Sequence, residues 1–449
     1  MSIQIAKQAV VVGAGMGGLA AAGALAPLFE EIIVLERDVL PPDGAQRSAI
    51  PQGRHVHVLL AGGEQAISDV LPGFSQDLLR VGAVPVRVDR DLRREFCGGR
   101  VFPRRDLGFD FYALSRPRLE ATLRARVQAL PNVTLESECR VRALVSGNGG
   151  RTVHGVTYDD AGGTARELRA DLVVESSGRG NLTAALLEET GQPLAEASTI
   201  GVDMCYTTAV FGIPADAPTD WKGVFAYPDP PDSSRGALLM PLEGGRWIVS
   251  LGARLGEDAP GSVDGYMEYL RTLHSPTVYE AVSKAKRLGD IARYRFPESI
   301  RRYYARLASF PRGLIPTGDS ICRFNPIYGQ GMTAGAQEAR VLRRLLTERA
   351  GEADPLDGLA PAFFAAVEDV VETPWQTAAL PDLAYPGTRG ERPADLQARL
   401  KRGAALHRIA AEDLEVHRVL LEVRHLMRPL SALDEPWLVE RLNDAMGEA

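Results

Sequence analysis

Near the start of the chain a run of β-branched apolar residues, Val10-Val11-Val12, gives way to Gly13, Gly15 and Gly18, and small apolar residues then fill 19–26. The first run reads as a buried strand and the second as a helix, so the glycines mark a tight strand-to-helix turn. A second apolar run over 32–35 ends on Glu36. Further on, 84–88, 94–96 and 109–114 read as strands. Leu119, Leu123 and Val127 recur at helical spacing and predict a helix over 115–130. Alternation over 140–145, 152–158 and 166–168, with turn signals in GNGG and DDAGG, predicts a meander. A hydrophobic strand over 171–175 leads into SSGRG. Between about 200 and 300 the chain reads as a second sheet region, with a Pro/Asp-rich loop at 214–235 and a hairpin turning at Glu243-Gly244-Gly245. The stretch 352–449 carries Leu, Val and Ala at helical spacings, with breaks expected at Pro374, Pro381 and Pro386.

The spacing Gly13-x-Gly15-x-x-Gly18 is the chemistry-bearing part of this pattern. Glycine lets backbone N–H groups close on a diphosphate at the helix N-terminus, where the helix dipole favours negative charge. Met16 and Gly17 lie inside the same turn. Glu36, about 20 residues on, stands where a carboxylate receives the hydroxyls of a ribose. Composition narrows the partners. At 449 residues the chain exceeds a single core, so two or three domains are expected. A net charge of −7 without a basic stripe argues against a nucleic-acid partner. Cys97, Cys139, Cys205 and Cys322 are scattered without C-x-x-C spacing, which suggests neither a zinc site nor a disulfide frame and fits a reducing compartment. The first strand starts by about residue 9, leaving no room for a signal peptide, and no run of 18 apolar residues occurs, so a cytoplasmic location without a transmembrane segment is expected. His55 and His57 alternate as on a strand, but no further ligand completes a metal site, so no metal is expected.

A second motif specifies the dinucleotide. Gly318-Asp319, followed by Pro326-x-x-Gly329-x-Gly331 and a helical run from Met332, resembles the second FAD-binding motif of flavin monooxygenases related to p-hydroxybenzoate hydroxylase. The resemblance covers most of 8–345. Within that superfamily PQGRHVH at 51–57, SSGRG at 176–180, MPLEGGRWIVS at 240–250 and FNPIYGQGM at 324–332 are most similar to bacterial squalene-epoxidase-like polyether epoxidases. The fold implied is α/β with an α+β insertion: a Rossmann-like FAD-binding domain, an interleaved β-sheet substrate domain and a helical C-terminal tail. The boundaries expected are 1–80, 115–200 and 300–350 for the discontinuous FAD-binding domain, 81–114 and 200–300 for the substrate domain, and 351–449 for the tail.

The resemblance also implies roles. Glu36 would hold the adenosine ribose and Arg37 would lie beside the adenine. Arg47, Arg54 and Arg116 would approach the phosphates or flavin, since a guanidinium fork pairs with phosphate oxygens and stays charged. Val141 would offer backbone to the adenine, and Gly178 belongs to the SSGRG segment. Asp319 would bind the ribityl chain, while Pro326, Gly329, Gly331 and Met332 let backbone pass close to the flavin ring. Phe211, Phe225, Tyr227, Met240, Trp247 and Tyr328 are candidates for an apolar substrate pocket. Three departures stand out. Cys322 replaces a histidine common in the hydroxylases. Glu175-Ser176-Ser177-Gly178-Arg179 lacks their Asp-Gly pair, which leaves open whether NAD(P)H binds directly or a separate flavin reductase supplies electrons. The tryptophan motif and lysine context of flavin halogenases are not evident. The implied activity is a monooxygenase that passes one atom of O2, through a flavin C4a-hydroperoxide, to an apolar natural-product-like molecule by epoxidation or hydroxylation. No side chain is assigned as catalytic, because the chemistry belongs to the flavin. An FAD-dependent reductase or dehydrogenase of a prenyl or polyene substrate is the alternative.

Overall fold

The computed structural model describes residues 4–42, 44–48, 50–178 and 180–447. The strand Ala6–Val12 lies at the centre of a five-stranded parallel sheet, between Leu172–Glu175 and Phe29–Leu35, with Leu314–Pro316 and Val133–Glu136 at the edges. Alternation sorts its side chains onto two faces. Ala9, Val11, Ile32, Val34 and Val174 face the helices Met16–Leu25, Arg116–Gln128 and Gly331–Glu348. Val10, Val12, Ile33, Leu35 and Val173 face an antiparallel meander, Arg140–Gly147, Thr152–Asp159 and Ala165–Arg169. Burial on both faces explains why these strands read as continuous apolar runs.

A second sheet of eight strands is built around two sixteen-residue strands, Ala197–Gly212 and Arg287–Arg302. Arg246–Arg254, Gly236–Leu242, Gly223–Ala226 and Leu92–Phe96 continue it. One face, with Phe211, Val249, Leu251 and Trp247, packs under the helices Val263–Arg271 and Thr277–Val282. The other, with Val210, Phe225, Leu238, Met240 and Ile248, looks toward residues 56–58 and the C-terminal helices Leu396–Glu412, Leu414–Arg424 and Pro436–Gly447.

Three sequence expectations are corrected. The loop expected over 214–235 contains the strand Gly223–Ala226, which pairs on both sides within the second sheet. Pro374 and Pro381 do not break the tail: both lie inside one helix, Leu359–Leu383. Each removes a helical N–H and crowds the preceding turn, yet Val367, Val371, Trp375, Ala378 and Ala379 bury one continuous face across both positions. Arg301 additionally clasps Glu368 and Glu372 just before the first proline. Only Pro386 follows the helix end. His55 and His57 are not on a strand; they follow a short 3-10 turn, Pro51–Arg54, in unpaired extended backbone. Among the described residues no helix is long and apolar enough to cross a membrane.

Candidate functional site

The glycine turn divides its labour. Gly13 has φ 101°, and a Cβ there would meet the Ser176 carbonyl oxygen at 2.6 Å; a Cβ on Gly18 would meet the Gly13 carbonyl oxygen at 1.9 Å. Those two positions hold the turn closed. Gly17 faces Ser176 Oγ, 3.1 Å from where a Cβ would stand. Gly15 is different: nothing lies within 4 Å of a Cβ placed there. It opens the helix Met16–Leu25, whose start has no side-chain cap. Uncapped N–H groups at a helix N-terminus, beside open space, fit a diphosphate.

Glu36 is buried at the end of its strand. It accepts hydrogen bonds from Ala14 N–H at 2.8 Å and Asp38 N–H at 3.0 Å. Arg47 pairs with Glu36 at 2.9 Å, Asp38 at 3.2 Å and Glu120 at 2.7 Å. Burial opposes the Arg47 charge, but Glu36 and Glu120 outweigh it and raise its pKa above the usual guanidinium value. Arg116 pairs with the same Glu120 at 3.0 Å and touches Met332 Sδ, while its Nε is buried without a partner. A chain of contacts, Glu36–Arg47–Glu120–Arg116–Met332, therefore joins the first motif to the second. Glu120 was not singled out from sequence; its helical position four residues after Arg116 was the available signal. Arg37 and Arg54 are exposed, and Val141 is half-buried beside the core under Val12 and Leu35.

In the second motif Gly318 has φ 61° and Gly329 φ 67°. The half-buried Asp319 carboxyl is pushed up to about 6 by burial, against the pull of Arg323, Arg116 and Arg302. Gly331 is packed close to it: a Cβ there would lie 3.7 Å from Asp319 Oδ1. Beneath, Gly318 N–H donates to Glu338 at 2.5 Å. Glu338 is fully buried, and burial pushes its carboxyl up to about 8, with the Asp319 charge adding to the rise and the Gly318 bond opposing it. Pro326 begins a 3-10 turn, Pro326–Tyr328, started by Asn325, whose Oδ1 accepts from Ile327 N–H at 3.3 Å. Asn325 Nδ2 and Tyr328 OH both donate to Asp382, at 3.1 Å and 2.8 Å, and Arg254 pairs with the same carboxylate at 2.7 Å. Tyr206 OH donates to Asn325 Oδ1 at 3.0 Å. The loop is thus held from the helix Leu359–Leu383 and from the second sheet. Asn325 lies inside the FNPIYGQGM motif, but its partners Asp382 and Arg254 escaped the sequence reading, since they are far apart in the chain and share no local pattern.

Of the departures, Glu175 is wholly buried and caps the helix Asn181–Glu189, accepting from Leu182 N–H at 3.2 Å and Thr183 N–H at 3.0 Å. Gly178 has φ 88° with open space beside it; Arg179 lies outside the described residues. Cys322 is buried, and burial raises its thiol well above its ordinary value, so it stays protonated.

The pocket candidates are split between the two faces of the second sheet and the flavin-motif loop. Phe211 and Trp247 are a cross-strand pair on the sheet face beneath Tyr266 and Trp221, and serve the core there. Met240 and Phe225 lie on the opposite face, as the period-two alternation of a strand requires. Tyr227 stacks with Phe96 at 4.7 Å and Phe225 at 5.7 Å. On this second face a small cleft is lined by His55, His57, Arg116, Met240, Leu242 and Ile248. Burial lowers His55 to about 4, aided by Arg54, and lowers His57 to about 3, aided by Arg116, so both are neutral. His55 Nδ1 lies 2.7 Å from Thr208 Oγ1, and its Nε2 is buried without a partner.

No family model matches the chain. Protein Rv3254 of Mycobacterium tuberculosis (strain ATCC 25618 / H37Rv) is 35% identical over 356 residues, covering 76% of this chain and 73% of that protein. Squalene epoxidase 1 of Arabidopsis thaliana is 26% identical over 350 residues, covering 75% of this chain; the chain spans 59% of that enzyme's length. Among solved structures, p-nitrophenol 4-monooxygenase PnpA from Pseudomonas putida DLL-E4 superposes with a TM-score of 0.64 at 19% identity, over 98% of this chain and 99% of that one. The chain belongs to the same family as protein Rv3254, and its fold is that of flavin monooxygenases such as p-nitrophenol 4-monooxygenase. The open cradle at Gly15, the uncapped helix start and the unpartnered Arg116 Nε fit a dinucleotide such as FAD.

Proposed function

We propose that the protein transfers one atom of O2 to an electron-rich carbon of a bulky, largely apolar small molecule. In this reading FAD spans the two motifs. Gly13, Gly15, Met16, Gly17 and Gly18 receive the diphosphate, with Glu36 on the adenosine ribose and Asp319 on the ribityl chain. Arg47 and Arg116 keep the two halves in register. The single observation that carries the reading is the Glu36–Arg47–Glu120–Arg116–Met332 chain, because it aligns a dinucleotide turn with a flavin loop about 300 residues away. Bound and reduced, FAD supplies the electrons that activate O2.

The protein's own contribution is position and dryness. The half-buried Val210, Phe225 and Leu238 offer an apolar surface, and the C-terminal helices cover it. Excluding water protects a reactive oxygen species, and holding the substrate on a rigid sheet face orients the accepting carbon. Neutral His55 and His57 add no positive charge to the cleft. The Arabidopsis relative is named a squalene epoxidase, which supports transfer to an alkene over transfer to a ring. NAD(P)H is the proposed electron source, directly or through a flavin reductase. A cytoplasmic setting accords with four unpaired cysteines.

Labelled O2 tests the reading. One labelled atom per product molecule is expected from the reduced holoenzyme and substrate. Label arriving only from water, or reduction of a double bond without oxygen uptake, would overturn it.

A further inference from the structure

Arg424 closes the helix Leu414–Arg424 on the covered side of the second sheet. It is half-buried, and burial is the main reason its guanidinium pKa is lowered from the ordinary value. Tyr227 and Tyr328 lie close enough to act on its charge; the first belongs to the aromatic ladder with Phe225, the second to the flavin loop. The neighbouring Val423 packs in the same apolar cluster as Phe225, and Leu426 O accepts from Gln337 Nε2 at 2.6 Å on the helix Gly331–Glu348 that follows the loop 326–330, so Arg424 lies between the apolar surface and that loop.

Its partner is unusual for a sheltered arginine. Arg424 donates to His407 Nε2. His407 Nδ1 lies 2.9 Å from the Gly403 carbonyl oxygen, which can only accept, so Nδ1 carries the proton and Nε2 is a bare acceptor. Burial and Arg424 together lower His407 to about 3, in agreement with a neutral ring. Among the described residues no carboxylate forms an ion pair with Arg424. The acid of this region, Asp89, is already held by Arg94 at 2.7 Å and by His417. Its carboxyl stays below the usual range although burial opposes that. Asp89 is thus committed to the buried Arg94 and to His417, and among the described residues the half-buried Arg424 is left without a carboxylate partner. A sheltered cation without a counter-charge is costly, and an anion arriving beside it relieves that cost.

Resting on the oxygen-transfer reading for the word substrate, we propose that Arg424 receives an acidic group, a carboxylate, of a substrate whose apolar body lies along Phe225 and Tyr227. The guanidinium fork pairs with two carboxylate oxygens, while His407 holds the fork by accepting a third N–H. The site would then select apolar acids and orient them by one end, leaving the far carbon atoms to face the flavin loop.

The test is binding to the holoenzyme. Saturated fatty acids from octanoate to palmitate, and naphthoate, are titrated against their methyl esters, read by calorimetry and by the flavin absorbance spectrum. At least one acid should bind roughly tenfold more tightly than its ester. Arg424→Gln should abolish that preference with FAD content unchanged, and Arg424→Lys should keep part of it. If every acid binds the wild type no better than its ester, the proposal fails, and this arm needs no variant. It also fails if Arg424→Gln retains the full preference. Label transfer from O2 is a separate readout, so failure here and failure of the oxygen-transfer reading are distinguishable.

Discussion

Gly15 and Gly18 are two glycines of one turn with opposite tolerances. A side chain at Gly18 collides with the Gly13 carbonyl, whereas one at Gly15 meets only empty space. Gly15→Val should therefore fold and lose flavin: FAD retention, read by ultrafiltration and flavin fluorescence, should weaken at least tenfold while the melting profile stays cooperative. Gly18→Val should instead yield little folded protein, since the colliding atom is backbone and cannot move aside. Glu338 gives a pH prediction. Its carboxyl titrates near 4.5 when unfolded and at about 8 when folded. Below about 4.5 both states are protonated and the residue is silent. Between those values the unfolded chain has already released a proton that the folded one keeps, so stability falls as pH rises, and the full penalty is reached above about 8. One pKa unit corresponds to about 1.4 kcal/mol, so the penalty reaches a few kcal/mol. In the flavin-free protein Glu338→Gln should flatten this decline, and thermal unfolding across that pH range measures it. An unchanged slope would show that another group causes it.

At the scale of elements, the helix Leu359–Leu383 matters less for its length than for what its last turn holds. Asp382 is the shared acceptor of Arg254, Asn325 and Tyr328. Asp382→Ala would leave Arg254 sheltered without its counter-charge, at a cost of about 3–5 kcal/mol, and would free the flavin loop. A melting temperature lowered by several degrees together with weaker FAD retention is expected. Replacing Arg254 by Met in the same background should restore stability without restoring flavin affinity. Recovery of both would mean that the loop does not depend on Asp382. These residues also mark where sequence reading stopped. The strand-turn-helix at Val12–Met16 and the Asp319 loop were legible because their chemistry is local and glycine-dependent. Asp382 and Arg254 were not, because their pairing spans 128 residues and neither sits in a periodic pattern. The prolines misled for a related reason: a local rule against proline in helices was outweighed by an apolar face buried over more than three turns.

For the whole molecule, the class of fold was readable from the two motifs, while the face assignment of Phe211 and Trp247 was not. That assignment depends on which side the helices Val263–Arg271 and Thr277–Val282 cover, a choice made by distant segments. Purified protein should be yellow and release FAD on denaturation, identified by chromatography; FMN in its place would remove the adenosine half of the proposed site, Glu36 included.

The parallel sheet at the centre has a further consequence for how the protein is made. Ala6–Val12 emerges from the ribosome early, pairs with Phe29–Leu35, and then waits for Leu172–Glu175 on its other side and for Leu314–Pro316 beyond that. At bacterial or eukaryotic synthesis rates of about 5–20 residues per second, roughly 15–60 s separate the first strand from the last. During that interval Val10 and Val11 have an unfinished sheet around them, and the eight-stranded sheet must assemble in between. Folding cannot proceed as a series of completed domains from the N-terminus. A chain truncated before Leu314–Pro316 is expected to leave Leu172–Glu175 as an open sheet edge prone to aggregation.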